Sequence, residues 1–374
     1  MPPSPSPKDL QTLRTQTTTL STLLTHYLSL LSPTSTTAPT PPPTLPPNPP
    51  PHLPVLADAA KLLKAHTTKL GLLLLNKPFS PTAIAKVLAE VSATCLPAMM
   101  SAVQICDARS EVWGAVMVAE VRARVRRVVV EVRGLVGEVE SQLEDIAPAG
   151  SSNGVNGDGE KREGRDTLAT TGVVWEACDA LSELATLGVV GLVVKKAEQY
   201  RATLLDAVAE LKEWGEDEGD DEDGEEGKWS GDDEEDDFDN AFDAPKLPRG
   251  QKELRAQLEA ALKKLKMVGM LYQALAKRRL KTFPFSGTTA GDWSGDAWSM
   301  GILDRVMETL KSIPESVDEL ASAFYELDAV EAKKRLEECC KDAVAAKDLV
   351  AQNWEGEEDE FTTWSQKWNQ ALSS

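Results

Sequence analysis

A chain of 374 residues with 41% hydrophobic side chains is long enough to bury two ordinary cores, which excludes a wholly disordered protein. Its formal net charge of −20 argues against nucleic-acid and anionic-membrane partners, whose recognition needs clustered Lys and Arg, and leaves basic proteins as natural targets. Five cysteines with no CxxC spacing exclude a closed disulfide framework and suit a reducing compartment, here expected to be cytoplasmic and nuclear.

In chain order, the opening "MPPSPSPKD" lacks the charged and apolar regions of a secretory signal. Leu10, Leu13, Leu20, Leu24, Tyr27 and Leu31 then recur at three, four or seven, predicting an amphipathic helix over 8–31 in a first segment, 1–32. Its many threonines are poor helix formers, so it needs a surface to lie on. Fifteen of the 23 prolines fall before residue 55, and segment 33–54 reads as a polyproline II linker.

Residues 55–214 read as an N-terminal helical bundle. A helix over 55–75 ends ahead of Pro78, and Ser80 with Pro81 starts another that runs to Cys106. The valine-rich stretch after it keeps helical spacing from Val112 through Val128 and Val139 to Leu143, with Glu120–Arg124 and Arg127–Glu131 as expected i,i+4 pairs. A flexible loop over 148–166 precedes a helix from Thr167 to about Leu187 and another, past Gly188 and Gly191, to Trp214.

Residues 215–247 form an acidic linker, expected to be disordered. From Gly215 to Phe242 sixteen carboxylates face Lys228 alone, about three quarters of the net charge. The run fails the EF-hand pattern, so no metal is assigned to it. Trp229, Phe238 and Phe242 stand among the acids as candidate partner-binding residues, and Ser230 ahead of "GDDEE" is a candidate phosphorylation site.

A C-terminal bundle follows over 248–374. It comprises a leucine-striped helix over 252–281, a short helix over 301–311, a break at Pro314, one long helix to Trp354, and a last helix carrying Phe361, Trp364, Trp368 and Leu372. In the long helix Val317, Leu320, Phe324, Leu327, Leu336, Cys340, Val344 and Leu349 are expected to face the core. With no convincing strand, the fold class is all-α, antiparallel helical bundles in two halves.

Catalytic, cofactor and metal residues are all assigned as none. His26, His52 and His66 build no zinc or nucleophile–base constellation, and there is no phosphate-binding glycine loop. Cys95, Cys106 and Cys178 read as core thiols, while of Cys339 and Cys340 at least one is expected at the surface. The basic stretch "AKRRLK", 276–281, is read as an intramolecular counter-charge to the acidic run.

The segments "TGVVWEACDAL", "KKAEQYRATLLDAVAELKEW", "LEAALKKLKMV" and "PESVDELASAFYELDAVEAKKRLEECCKDAV", in this order around an acid insert, resemble the cyclin-D-interacting protein family, also called GCIP or Maid or cyclin-D-binding protein. The best local matches are Gly172, Trp175, Ala177 and Cys178, and 316–321; the Thr- and Pro-rich start and long acid run suggest a fungal member. The resemblance implies a vinculin-like up-and-down bundle that acts by binding, as a monomer or hetero-complex, without cofactor. It further implies a negative regulator of cell-cycle progression or transcription, with a cyclin–kinase complex, an adaptor or a helix-loop-helix factor as partner. A cytoskeletal linker of vinculin or catenin type is the alternative.

Overall fold

The computed structural model describes residues 6–32, 50–146, 158–216, 247, 251–285 and 297–374. The fold is all-α, and no strand forms among the described residues. The chain divides into two compact units. Unit 1 takes Met1–Leu192 with Phe285–Gly295, and unit 2 takes Val193–Pro284 with Asp296–Ser374.

Unit 1 is built from α1 (Pro7–Leu30), α2 (His52–Leu75), α3 (Pro81–Glu90), α4 (Leu96–Asp107), α5 (Ser110–Ile146) and the first part of α6 (Asp158–Glu216). A π-helical turn over Val91–Cys95 joins α3 to α4. The surface that α1 needs is the chain's own: it packs on α3 and α5, burying Leu13, Thr17, Leu20 and Leu24. Arg14 donates to the Leu143 carbonyl, Ser21 to Glu140, and Arg122 to the Leu30 carbonyl, so α1 and α5 run antiparallel. Lys64 with Asp179 at 2.7 Å, and Gly71 against Thr171, set α2 antiparallel to α6.

Two helices are broken at glycines with positive φ, Gly114 (φ 76) and Gly188 (φ 61), a region closed to most side chains. The break expected after Leu187 is thus at Gly188 itself, and the seam between the units lies four residues on, inside α6, ahead of the acidic run. Beyond it the helix belongs to unit 2, where Arg201 donates to the Gly269 carbonyl and Arg255 to that of Gly215. At its other end α6 begins at Asp158, within the stretch expected as loop.

Unit 2 adds α7 (Lys252–Leu275), a π-helical turn over Ala276–Leu280, α8 (Ala297–Tyr325), α9 (Ala329–Leu349) and α10 (Glu360–Ser373). The expected break at Pro314 does not occur, because the proline lies buried inside a continuous α8. Pro314 has no N–H for the carbonyl of Leu310, four residues back, and the Tyr272 hydroxyl of α7 donates to that carbonyl instead, at 2.5 Å. Tyr272→Phe should therefore cost about 1–3 kcal/mol. Pro314→Ala, which returns a helical N–H to the same carbonyl, should remove most of that cost in a denaturant double-mutant cycle.

The break comes at Leu327 (φ 61) and Asp328, whose carboxylate accepts from the N–H groups of Val330 and Glu331 and caps α9. Two stretches, Pro81–Asp107 and Thr167–Glu216, have the length and apolar composition to cross a membrane. Here they are bundle helices, with Leu88, Leu96 and Met99 of the first and Val174, Leu181 and Leu204 of the second buried.

Candidate partner-binding groove

The predicted apolar stripe of α9 is not the face that α9 buries. Against α8 and α7 it buries Ala332, Cys339, Ala343 and Ala346, small residues that let helices approach closely, with Arg335 paired to Glu319 at 2.6 Å across the α8–α9 hairpin. Leu336, Cys340 and Val344, one turn apart and assigned to the core on periodicity alone, are left half-buried. They form the floor of an open groove of about 640 Å³ within unit 2. Its walls are Gln257, Ala260 and Lys264 of α7 and Asn369, Leu372 and Ser373 of α10, and Phe324 of α8 closes the end.

The groove is apolar below and cationic above. Lys264, Lys333 and Lys341 stand on its rim against Glu337, and none of the three lysines has an ion-pair partner among the described residues. The side-chain oxygen of Gln257 is buried there without a hydrogen-bond donor among the described residues. Composition pointed to basic targets; this groove suits an acidic one. An amphipathic segment would lay apolar anchors on Leu336 and Val344 and meet the lysines with carboxylates.

Cys340 stands between these lysines without becoming a nucleophile. Burial pushes its thiol pKa up, Lys264 pulls it down and Glu337 pushes it up again, and the net direction is upward, so the thiolate is scarce near neutral pH. Burial pushes the thiols of Cys106, Cys178 and Cys339 up to about 12, as core thiols should be, and all five cysteines are free. Among the described residues no group of three His, Cys, Asp or Glu side chains is placed to hold a metal ion.

The basic stretch 276–281 is largely consumed within unit 2. Arg278 pairs with Glu360 at 3.0 Å, Lys281 lies 3.9 Å from Glu198, and Arg279 is 1% exposed in a bidentate pair with Asp359. Three of its four cations thus face carboxylates of α6 and of the start of α10. In the same way the arginines of α5 find acidic neighbours: Arg122 with Asp107, Arg124 with Glu120, and Arg127 with Glu176 of α6 rather than the expected Glu131.

Trp229, Phe238, Phe242 and Ser230, the residues singled out in the acidic run, lie outside the described residues. Those that carried the family resemblance are structural. Val174, Ala177, Cys178 and Leu181 are buried, and the Lys64 ammonium lies 6.0 Å from the ring of Trp175.

Among known proteins, residues 55–217 match the family model described as Grap2 and cyclin-D-interacting, N-terminal. An uncharacterized protein of Schizosaccharomyces pombe is 25% identical over 319 residues, covering 84% of this chain and 82% of the relative. No solved structure matches the chain. Neither match speaks for a cytoskeletal linker. The matched family segment runs from α2 to the end of α6 and stops where the acidic run begins.

Proposed function

We propose that this chain, whose residues 55–217 match the Grap2 and cyclin-D-interacting family model, is a non-enzymatic regulator that works by binding other proteins. The family's description names an interaction with cyclin D rather than a reaction, and the thiols of this chain are held protonated by burial. The observation that carries the reading is the α7–α9–α10 groove, where among the described residues an apolar helical stripe is left unfilled between unpaired lysines. A docking helix in such a groove gains affinity from anchors at i, i+3 or i+4, and i+7, and specificity from its charged edge.

The partner is an acidic amphipathic segment of a cyclin–kinase complex or of a helix-loop-helix factor. Occupying it restrains cell-cycle progression or transcription, in the cytoplasm and nucleus. A purified cyclin–kinase complex and a purified helix-loop-helix factor, titrated against the wild-type chain and against Leu336→Glu/Val344→Glu, test this. Because the two positions are half-buried, the variant should keep its helix content by circular dichroism. Its affinity for the true partner should fall by about tenfold or more, the loss of two desolvated anchors. Equal affinity of the two chains for whichever partner binds would place the binding site elsewhere and reject the groove.

A further inference from the structure

We propose that the chain's own acidic segment, residues 217–246, occupies the α7–α9–α10 groove of unit 2 as an internal ligand that competes with outside partners. This rests on the reading of the groove as a docking site, and three observations single out the segment as occupant. The first is charge: the segment holds sixteen carboxylates against Lys228 and Lys246, and the groove offers Lys264, Lys333 and Lys341, unpaired among the described residues, against Glu337 alone. The second is chemistry: Trp229, Phe238 and Phe242 are the segment's large apolar side chains, and the groove floor is apolar.

The third is reach. Chain leaves α6 at Glu216 and enters α7 at Lys252, and α7 itself supplies Gln257, Ala260 and Lys264 to the groove wall. Nine residues from Phe238 to the buried Leu247, five positions ahead of α7, span about 30 Å when extended, against about 18 Å of helix from Lys252 to Lys264. Tethering at this distance gives an effective concentration of order millimolar, so a weak contact suffices to fill the groove. Because the attraction is charged and its rim is solvated, salt weakens it.

The groove contains its own reporter, since Cys340 is half-buried there and the other four thiols are buried. Alkylation of Cys340 by an uncharged maleimide is followed in the full chain, with Cys340→Ser identifying the signal. The wild type is compared with Trp229→Ala/Phe238→Ala/Phe242→Ala at low salt and at about 1 M salt, where the screening length falls to about 3 Å. Occupancy near nine-tenths makes the wild type label about tenfold more slowly than the triple variant at low salt, and high salt closes the gap.

Equal rates in the two chains at low salt overturn the proposal, as does protection that rises with protein concentration, which would mark a second copy as the occupant. A synthetic acidic amphipathic peptide added to the triple variant separates the two readings. If it protects Cys340 while the tethered segment does not, the groove is a docking site and only the internal ligand is wrong. If neither protects, both fail.

Discussion

Replacing Asp359 by Ala should lower the stability of unit 2 by about 3 kcal/mol, because it leaves the Arg279 guanidinium buried without its counter-ion. Arg279 is 1% exposed and all of its donor groups are used. Nε donates to the Val350 carbonyl, Nη1 to the Arg278 carbonyl and to Asp359, and Nη2 to the Ala351 carbonyl and to Asp359. Its plane also lies 4.3 Å from the ring of Phe361. Asp359 caps α10, accepting from the Thr362 N–H while the Thr362 hydroxyl accepts from the Asp359 N–H. One carboxylate thus starts a helix and neutralises a cation that ties the π-helical turn after α7 to the chain after α9.

The lower end of the usual range for such a break applies because Asp359 is itself 34% exposed, so water reaches the vacated site. Arg279→Lys should cost nearly as much, since an ammonium cannot serve the carboxylate and two carbonyls in the same plane. Arg279→Met/Asp359→Ala should lose less than the two single changes together, and denaturant unfolding of the four chains measures the coupling. The hydrogen bonds from Arg279, ahead of the Thr362 cap, hold the Asp359 carboxyl well below the usual carboxylate range. Its contribution is therefore present above the ordinary value of 3.8 and is lost only as pH falls below it. Wild type and Asp359→Ala should converge in strong acid and differ fully at neutral pH.

The elements of the sequence most open to reading are those in which one physical cause dominates. Leucine spacing in α7 and the Gly188 break each act through local sterics or through a single buried face, and α7, α10 and the second half of α6 stand where periodicity puts them. Pro314 misleads because its missing donor is compensated from another helix, by Tyr272, which no local pattern reports. The cap at Asp328 lies in "DAVE", an acid with Glu three residues on, a local signal that the apolar series running through Leu327 hides.

The groove was the least visible feature. Leu336, Cys340 and Val344 have the spacing of a core stripe, and only the competing stripe of Ala332, Cys339, Ala343 and Ala346 shows that α9 packs through its small residues. A helix with two candidate faces, one of alanines and one of larger apolar side chains, can bury one and present the other. The basic stretch 276–281 likewise reads as surface charge, because sequence cannot show that Arg279 meets a carboxylate eighty positions away.

Lowering the pH from 6.5 to about 4 should remove about 3 kcal/mol from unit 1, and His52→Leu should abolish that part of the acid sensitivity. His52 opens α2 directly after the proline tract and is fully buried, and neither ring nitrogen has a hydrogen-bond partner among the described residues. Trp113 packs edge-on at 4.2 Å, with its own indole N–H unpaired among the described residues, and Phe285 lies 5.3 Å beyond it. With no acceptor among the described residues to stabilise an imidazolium, burial pushes the His52 pKa from 6.5 down to about 4. The folded chain therefore keeps the ring neutral while the unfolded chain takes up a proton. Stability is whole above the unfolded value and declines as pH falls toward the folded one, the reverse of a histidine held by a carboxylate. His52→Leu fills similar space without orphaned nitrogens, so its denaturation midpoint should match or exceed wild type at pH 7 and pull ahead as pH falls. The difference between the two chains isolates His52 from His26, His66 and the carboxylates, which both retain. A constant difference across that window would mean that the ring is reached by water or a donor, and that burial is not what holds it neutral.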